Sequence, residues 1–365
     1  MKRVRFNDVL EIKNGRNQRQ IENPKGKYPI YGSGGVMGYA DDYICNADTV
    51  VVGRKGNINK PLYVEEPFWN VDTAFGLEAN RELLLPRYLY YFCRRFDFER
   101  LNKAVTIPSL TKSDLLDIEM DLPELKEQEL IVEKLHKIET VIEKRKTELE
   151  TLDELIKARF VEMFGDAVVN PMGWPTKELQ DLVTDDCKIS YGIVQTGDDQ
   201  EEGVPVFRPV DIVNHVPVRS ELKRTTEEIS NKYKRTILKG RELLITVRAN
   251  IADTYIIDRE FAGCNVGRGI VPIRTNEDVM VLEFLKHQLD SKHLNDDIKA
   301  MAKGITLIQL NMEDLRTVKL IVPPIEQQKA FVSFAKHVDK SKAVVQKALD
   351  ETQVLFDSLM QEYFG

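Results

Sequence analysis

Two stretches of this chain decide its fold, because each is a copy of the other. Residues 122–165 read LPELKEQELIVEKLHKIETVIEKRKTELETLDELIKARFVEMFG, and residues 322–365 read VPPIEQQKAFVSFAKHVDKSKAVVQKALDETQVLFDSLMQEYFG. The stretches align without a gap at an offset of 200, and the identical pairs include Pro123/Pro323, Gln128/Gln328, Leu149/Leu349, Phe164/Phe364 and Gly165/Gly365. An internal repeat of this kind constrains the whole architecture. The 365 residues therefore form a tandem duplication.

Each copy predicts one long helix. Proline stands at the start of each copy, where a helix tolerates it, and no further Pro or Gly follows until Gly165 and Gly365. At about 1.5 Å of rise per residue, a helix of this length measures about 60 Å.

Apolar residues recur at spacings of three and four along both copies, which is the pattern of a coiled coil. Polar residues interrupt it at Arg145, Lys342 and Thr352. We expect the two helices to pair with each other, although two unrelated surface helices of one domain are the alternative. The residues expected in the pairing seam are Leu135, Ile138, Ile142, Leu149, Leu152, Ile156, Val338, Val345, Leu349, Phe356 and Leu359.

A globular module precedes each helix, and the two modules are weakly similar to each other. Residues 48–54, which end in Arg54, compare with residues 242–248, which end in Arg248. Short β-branched runs predict strands, and residues 86–95 and 282–294 predict amphipathic helices.

The expected fold class is thus α+β. Two globular modules alternate with two long helices in one chain. The expected division is a first module over residues 1–122, a first helical segment over 123–166, a second module over 167–322 and a second helical segment over 323–365.

Charge and cysteine content exclude several classes of protein. Lys and Arg number 52 against 59 Asp and Glu, so the net charge of −7 argues against nonspecific coating of DNA or of an anionic membrane. The first module, with 18 basic and 17 acidic residues, is the only segment that is not acidic. The four cysteines form no CxxC pair, and no apolar run approaches the roughly 18 residues of a membrane span. We therefore expect a cytoplasmic protein without a membrane role.

Sequence motifs for catalysis are missing. The chain contains no GxxxxGK[ST] phosphate loop, no HExxH metal motif and no Asn/Asp-Pro-Pro-aromatic motif of an amino-methyltransferase. Glu11 and Lys13 could form part of a nuclease ExK element, but Glu and Lys are too abundant here for that pair to be specific. The expectation is a chain that is not an enzyme by itself and binds neither a metal nor a cofactor.

A role in recognising DNA is left as the main possibility, and loops at strand ends carry residues suited to it. Glycine supplies backbone freedom there, while Arg, Lys and Asn are side chains that hold phosphates and read base edges. Each feature alone is weak, because glycine-rich segments are usually turns and an arginine at a strand end is usually in a surface ion pair. Their recurrence in both modules strengthens the prediction of DNA contact, for which the candidates are Gly32, Ser33, Gly34, Arg54, Lys55, Asn57, Arg208, Arg248, Asn250 and Arg268.

With these features in view, the chain resembles the specificity subunit of type I restriction-modification systems. The most specific marks are the Pro-x-x-x-x-Gln helix starts at 123–128 and 323–328 and the endings Glu-Met-Phe-Gly at 162–165 and Glu-Tyr-Phe-Gly at 362–365. The resemblance implies two target-recognition domains, each reading one half of a split double-stranded DNA target. It also implies that the helices pair as an antiparallel coiled coil, in a pseudo-two-fold repeat, and set the spacer.

The resemblance further implies partner subunits. Two modification subunits would dock on this chain and transfer methyl groups from S-adenosylmethionine to adenine, and restriction subunits would supply ATP-driven translocation and cleavage. Two other functions stay open on the sequence alone: a coiled-coil scaffold for protein interactions, and an autonomous DNA-modifying enzyme.

Overall fold

The computed structural model describes residues 2–103, 107–212, 216–304 and 308–365. The chain forms two compact units. Unit 1 comprises Met1–Glu148 and Val345–Gly365, and unit 2 comprises Leu149–Val344. Each unit therefore contains one module, part of the first long helix and part of the second.

The module of unit 1 is built from short strands and helices. Its elements are β1 Lys2–Arg5, α1 Phe6–Val9, β2 Leu10–Asn14, β3 Tyr28–Gly32, β4 Gly35–Ala40, β5 Thr49–Gly53, β6 Leu62–Val64, β7 Trp69–Asn70, β8 Ala74–Ala79, α2 Pro86–Arg95, α3 Lys112–Leu116 and β9 Glu119–Leu122. The first long helix follows as α4, Leu125–Phe164.

Unit 2 repeats much of this order. Its elements are β10 Thr176–Glu178, β11 Val204–Phe207, β12 Arg224–Thr225, α5 Glu227–Lys232, β13 Leu243–Thr246, β14 Thr254–Ile256, β15 Asn265–Val266, β16 Ile270–Ile273, α6 Leu282–Leu289, α7 Lys292–Ala300, α8 Met312–Arg316 and β17 Lys319–Ile321. The second long helix follows as α9, Ile325–Phe364. These elements confirm the predicted mixture of α and β structure.

In its described residues, each module has three small sheets with corresponding strand orders. In unit 1 they are β1-β9, β2-β8-β5-β6 and β4-β3-β7, and in unit 2 they are β10-β17, β16-β13-β14 and β12-β11-β15. The central strands β5 and β13 are buried along their length because both of their faces are covered. The pairs β3-β7 and β11-β15 are parallel, whereas the other strand pairs are antiparallel.

The two long helices agree with the sequence prediction. Helices α4 and α9 have 40 residues each and begin and end at an offset of 200. Every residue predicted for the pairing seam is covered. Leu135, Ile142, Ile156, Val338 and Phe356 are buried, and Ile138, Leu149, Leu152, Val345, Leu349 and Leu359 are half-buried.

Residues of α4 and α9 contact each other within each unit. In unit 1, Arg145 donates hydrogen bonds to the Ala348 carbonyl and the Thr352 hydroxyl, so two of the polar interruptions of the seam bind each other. In unit 2, Lys342 pairs with Asp153, and the rings of Phe160 and Phe331 lie 5.4 Å apart. The polar positions are thus accommodated by specific partners.

The repeated spacing from proline to glutamine connects each helix start to its module. In unit 1, Gln128 is fully buried; its Nε2 donates to the carbonyls of Leu83 and Pro123, both at 2.9 Å, and its Oε1 accepts from the Leu85 amide at 2.8 Å. These bonds satisfy backbone groups that burial would otherwise leave unpaired.

Unit 2 has an equivalent set of hydrogen bonds around its glutamine. Gln328 is also fully buried and binds the Val279 and Pro323 carbonyls at 3.0 and 2.8 Å and the Val281 amide at 3.0 Å. The glutamine of the motif is therefore an anchor between a helix start and the loop that leads into α2 or α6.

One predicted helix is wrong in its extent. The helix predicted over 282–294 is divided into α6 and α7, with Asp290 and Ser291 between them. The Ser291 hydroxyl donates to the Gln288 carbonyl at 2.7 Å, which ends α6 and redirects the chain. The helix predicted over 86–95 is confirmed as α2. In the described residues, no helix is both long and apolar enough to cross a membrane.

Candidate nucleic-acid interface

Two loops of unit 1 that carry predicted DNA-binding residues lie side by side. They are the tip of the β3-β4 hairpin and the turn after β5. A methyl group at Gly34 would lie 3.7 Å from Asn57 Nδ2, and one at Gly56 would lie 3.9 Å from Ser33 Oγ. Arg54, Lys55 and Asn57 are exposed, whereas Gly32 is buried beneath the tip. The structure thus brings the six predicted residues of unit 1 together.

Backbone geometry explains why glycine is needed in this turn. A Cβ at Gly53 would lie 2.3 Å from the Asn57 carbonyl oxygen, and Gly56 adopts a φ of +81°. The amides of Arg54 and Lys55 donate to the Thr73 carbonyl at 2.7 and 3.3 Å. The main chain is therefore anchored while the charged side chains stay in solvent.

In unit 2, the turn after β13 holds Arg248 through a chain of side chains. Arg248 Nε donates to Gln309 Oε1 at 2.7 Å, and Nη2 donates to the same oxygen. Gln309 Nε2 in turn donates to the Tyr191 hydroxyl at 2.7 Å. The guanidinium of Arg268 lies over the Tyr191 ring, 5.9 Å from its centroid, a cation–π contact. Two predicted arginines are thus joined through residues that the sequence did not single out.

Arg208 lies on the same side of unit 2. Its Nε and Nη2 donate to the two carboxylate oxygens of Asp211 at 3.1 and 2.7 Å. The hydrogen bond with Asp211 raises the pKa of Arg208 above its ordinary value. A Cβ at Gly269 would lie 2.6 Å from Pro209 Cγ and 3.6 Å from Arg248 Cβ, so Arg248 and the residue after Arg208 flank one glycine.

Asn250 completes the predicted set and is exposed in the same turn as Arg248. Its carbonyl accepts a hydrogen bond from the Thr246 hydroxyl. Ala249 adopts a φ of +61°, which is unfavourable for a residue with a side chain. The turn is stabilised by the Thr246 amide donating to the Asp253 carbonyl at 2.9 Å.

Backbone hydrogen bonds show that the sequence alignment of the two modules is wrong by one residue at the end of β5 and β13. The Leu110 amide donates to the Arg54 carbonyl, and the Leu310 amide donates to the Val247 carbonyl, both at 2.9 Å. Lys55 therefore corresponds to Arg248, whereas the sequence comparison paired Arg54 with Arg248. The positive φ values of Gly56 and Ala249 agree with the corrected register. A one-residue slip passed unnoticed because both segments are uniformly apolar.

The sequence analysis missed Tyr191, Asp211 and Gln309. A signal for Gln309 was present, since residues 309–315 resemble residues 109–115. Nothing in the sequence indicated that residue 309 would bind residue 248, because the two are 61 positions apart. Asp211 stands three residues after Arg208, a separation at which a short helical turn brings side chains together.

Among the described residues, no group of three or more His, Cys, Asp or Glu side chains could hold a metal ion. The four cysteines are free and buried, and burial raises the pKa of Cys45 to about 12. Unit 2 has a cavity of about 940 Å³ lined by both acidic and basic residues, among them Asp153, Lys157, Glu283, Lys336 and Asp339.

Comparisons with known proteins cover almost the whole chain. The family model described as the type I restriction modification DNA specificity domain matches residues 1–153 and again residues 171–352. These two matches fit the internal repeat.

Individual proteins extend the comparison. The EcoBI type I restriction enzyme specificity subunit of Escherichia coli is 24% identical over 370 residues, covering 93% of this chain and 77% of the relative. The crystal structure of the type I restriction-modification S subunit from M. genitalium has a TM-score of 0.63 at 15% identity, covering 100% of this chain and 96% of that one.

A second solved structure comes from work described as the structural basis of complex assembly and conformational transition of the type I restriction-modification system. It has a TM-score of 0.60 at 19% identity and covers 100% of this chain and 97% of that one. The matched family is named for DNA specificity, in agreement with the predicted non-catalytic role. The resemblance found in the sequence is confirmed: this chain belongs to the family of type I restriction-modification specificity subunits.

Proposed function

We propose that this chain is the DNA-reading subunit of a type I restriction-modification complex and that each module reads one half of a bipartite target. The observation that carries the proposal is the recurrence of one cationic turn in both units, in which Lys55 is exposed and Arg248 is half-buried. Lys55 and Arg248 follow the equivalent buried strands β5 and β13. Cations and amides on rigid strand ends are suited to phosphates and base edges.

The module boundaries of the proposal are those expected from the sequence. Target-recognition domains occupy residues 1–122 and 167–322, and helical spacers occupy 123–166 and 323–365. We infer that the spacers form an antiparallel coiled coil that acts as a ruler for the unread base pairs. In support, Lys134 Nζ lies 3.2 Å from the Tyr363 hydroxyl in unit 1, whereas in unit 2 the late residue Phe160 meets the early residue Phe331.

Modification subunits would dock partly on the long helices. Leu155 and Leu355 are equivalent in the repeat and expose 45% and 51% of their surface, although both are large apolar residues. Exposed apolar side chains at matching places suit two copies of one partner. Those subunits would supply methyl transfer from S-adenosylmethionine, and restriction subunits would supply ATP-driven cleavage.

Charge favours binding as a complex. The net charge of −7 opposes a close approach to DNA, so local cationic turns need the added charge of partner subunits. We place the complex in the cytoplasm, where its DNA substrate lies and where four free thiols persist.

Mapping of methylated adenines in DNA exposed to the reconstituted complex tests the proposal. The expected result is one bipartite motif. Exchange of residues 1–122 for the module of a relative should change one half only, and four residues inserted at Thr147 should alter the spacer or abolish methylation. A change in both halves would contradict the modular assignment. DNA binding that is absent with every partner would favour a protein-interaction scaffold, and methylation by the isolated chain would favour an autonomous enzyme.

A further inference from the structure

We propose that Arg208 and Arg248 each read a guanine in the half-site bound by unit 2, and that Asp211 and Gln309 are positioning residues for them. The inference rests on the proposed function and deepens it, because it names the base that this part of the protein recognises. It follows from the way in which both guanidinium groups are held.

Arg248 is held along one edge of its guanidinium. Nε and Nη2 both donate to Gln309 Oε1, the first at 2.7 Å. The orientation of the Gln309 amide is determined, because a guanidinium can only donate and must face the oxygen. The amide nitrogen then donates to the Tyr191 hydroxyl at 2.7 Å, which fixes the far side of the amide.

Arg208 is held along the same edge by a different acceptor. Asp211 accepts from Nε and Nη2 at 3.1 and 2.7 Å, and its carboxylate also accepts from the Arg208 amide at 2.7 Å. The Arg208 side chain nevertheless stays 43% exposed, whereas that of Asp211 is only 11% exposed. The acceptor is therefore buried while the guanidinium reaches solvent.

The opposite edge of each guanidinium stays available. Within the described part of the chain, no acceptor binds Nη1 of Arg208 or of Arg248. The edge formed by Nη1 and Nη2 carries two parallel N–H groups, which match the O6 and N7 acceptors that guanine presents in the major groove. Adenine presents an N6 amino donor in place of O6, so the same edge would meet a donor and be rejected.

An arginine side chain that is held in place before DNA binds is better suited to reading a base than to contacting a phosphate. A flexible arginine loses several rotatable bonds when it binds, whereas an arginine already fixed at Nε loses fewer. A phosphate contact needs no such fixed direction, since phosphate oxygens accept from many angles. A Cβ at Gly269 would lie within 4 Å of Arg248 Cβ and of Pro209, the residue that follows Arg208, so both arginines belong to the same region of unit 2.

Unit 1 lacks this arrangement. Lys55 corresponds to Arg248, and the residue that bridges it is Ser109 in place of Gln309. A lysine ammonium cannot form a planar bidentate pair. The inference is therefore confined to the half-site of unit 2.

The test uses the full complex and a library of targets in which every position of both half-sites is varied. Arg248→Lys keeps the charge but removes the fork, and we expect it to lower the preference for one G·C pair about 10- to 100-fold. Arg208→Lys should do the same at a second G·C pair. The other half-site and the spacer should be unchanged.

The two positioning residues are tested by base preference at single positions of the target, because a merely structural role would leave that preference unchanged. Gln309→Ala should relax the same base pair as Arg248→Lys, and Gln309→Glu should restore the preference because it keeps an acceptor for Arg248. Asp211→Ala should relax the base pair read by Arg208. The matched control is Arg241→Lys, which lies before β13 rather than after it and binds Glu277 and Glu283; it should leave the motif unchanged.

Failures of the two proposals are distinguishable. A wild-type complex without any bipartite motif would overturn the proposed function. A bipartite motif whose unit 2 half contains no G·C pair would overturn the guanine assignment alone. So would an equal loss of methylation on every target in Arg248→Lys and Arg208→Lys, since that result indicates phosphate contact or a general structural role.

Discussion

The two units have the same buried hydrogen bonds at their helix starts and differ in the side chains of the turns after β5 and β13. Gln128 and Gln328 make the same three kinds of hydrogen bond, and the turns after β5 and β13 place Gly56 and Ala249 at positive φ. At the turn itself, Lys55 next to Ser109 replaces Arg248 next to Gln309. Buried backbone bonds are costly to change, whereas exposed side chains can vary freely. The comparison teaches how one scaffold presents two different surfaces to DNA.

A second difference lies on the helix that follows each anchored loop. Tyr91 on α2 donates to Glu139 at 3.0 Å, and burial raises the pKa of its hydroxyl. The corresponding residue on α6 is His287, which contacts the Phe331 ring at 5.1 Å between centroids. A neutral hydrogen-bonding position in unit 1 is thus a titratable one in unit 2.

The largest effect is expected at the shared anchors. Gln328→Ala removes three hydrogen bonds and leaves buried backbone groups unpaired, which we expect to destabilise unit 2 by about 3 to 5 kcal/mol. Gln128→Ala should have a similar effect on unit 1. Urea unfolding with a probe in each unit measures both. The neighbouring Gln327 is exposed, so Gln327→Ala should change little; a similar loss there would show that the anchor is not the cause.

The next largest effect is expected at the polar residues of the helix seam, where the loss of stability should differ between the two units. Arg145 is half-buried and donates to two acceptors, so Arg145→Ala should destabilise unit 1 by about 1 to 2 kcal/mol. In unit 2, the Asp153 partner of Lys342 is half exposed, so Lys342→Ala should cost less than about 1 kcal/mol. Thermal unfolding measures both losses. Equal losses would contradict the distinction between the two polar contacts.

The turns should respond oppositely to exchange of glycine and alanine. Gly56→Ala places a side chain at a φ of +81° and should destabilise unit 1 by about 1 to 2 kcal/mol. Ala249→Gly relieves a φ of +61° and should stabilise unit 2 by less than about 1 kcal/mol, since glycine also gains freedom in the unfolded chain. Melting temperatures of both variants are the measurement, and destabilisation by Ala249→Gly would count against the shared turn geometry.

The smallest effect is a pH dependence confined to unit 2. Burial lowers the pKa of His287 below its ordinary 6.5, and the neighbouring Lys286 acts in the same direction. Asp290, Asp339 and Glu283 oppose the shift. The unfolded chain therefore binds the proton at higher pH than the folded unit does.

Stability contributed by neutral His287 is thus present above pH 6.5 and is lost as the pH falls from there towards the folded-state pKa. Unfolding at pH 5.5 and 7.5 measures this slope, and His287→Tyr, which installs the residue found in unit 1, should remove it. A slope that persists in His287→Tyr would assign the titration to another group.

Features that repeat, or that depend on neighbours along the chain, could be predicted from the amino-acid sequence. The offset of 200, the prolines and the glycines located both 40-residue helices. The residues that apolar periodicity placed in the seam are all covered, but buried residues such as Ile131, Phe160 and Phe331 were not among them. The β-branched runs located β5 and β13. These signals are local, so they survive without knowledge of the fold.

Contacts between residues that are far apart along the chain could be identified only from the tertiary structure. Gln128 binds Leu85, 43 positions away, and Gln309 binds Arg248, 61 positions away. The correspondence of Lys55 with Arg248 also required the backbone hydrogen bonds of Leu110 and Leu310. Such contacts depend on strand order and register, which a uniformly apolar strand does not encode, because shifting it by one residue leaves its pattern unchanged.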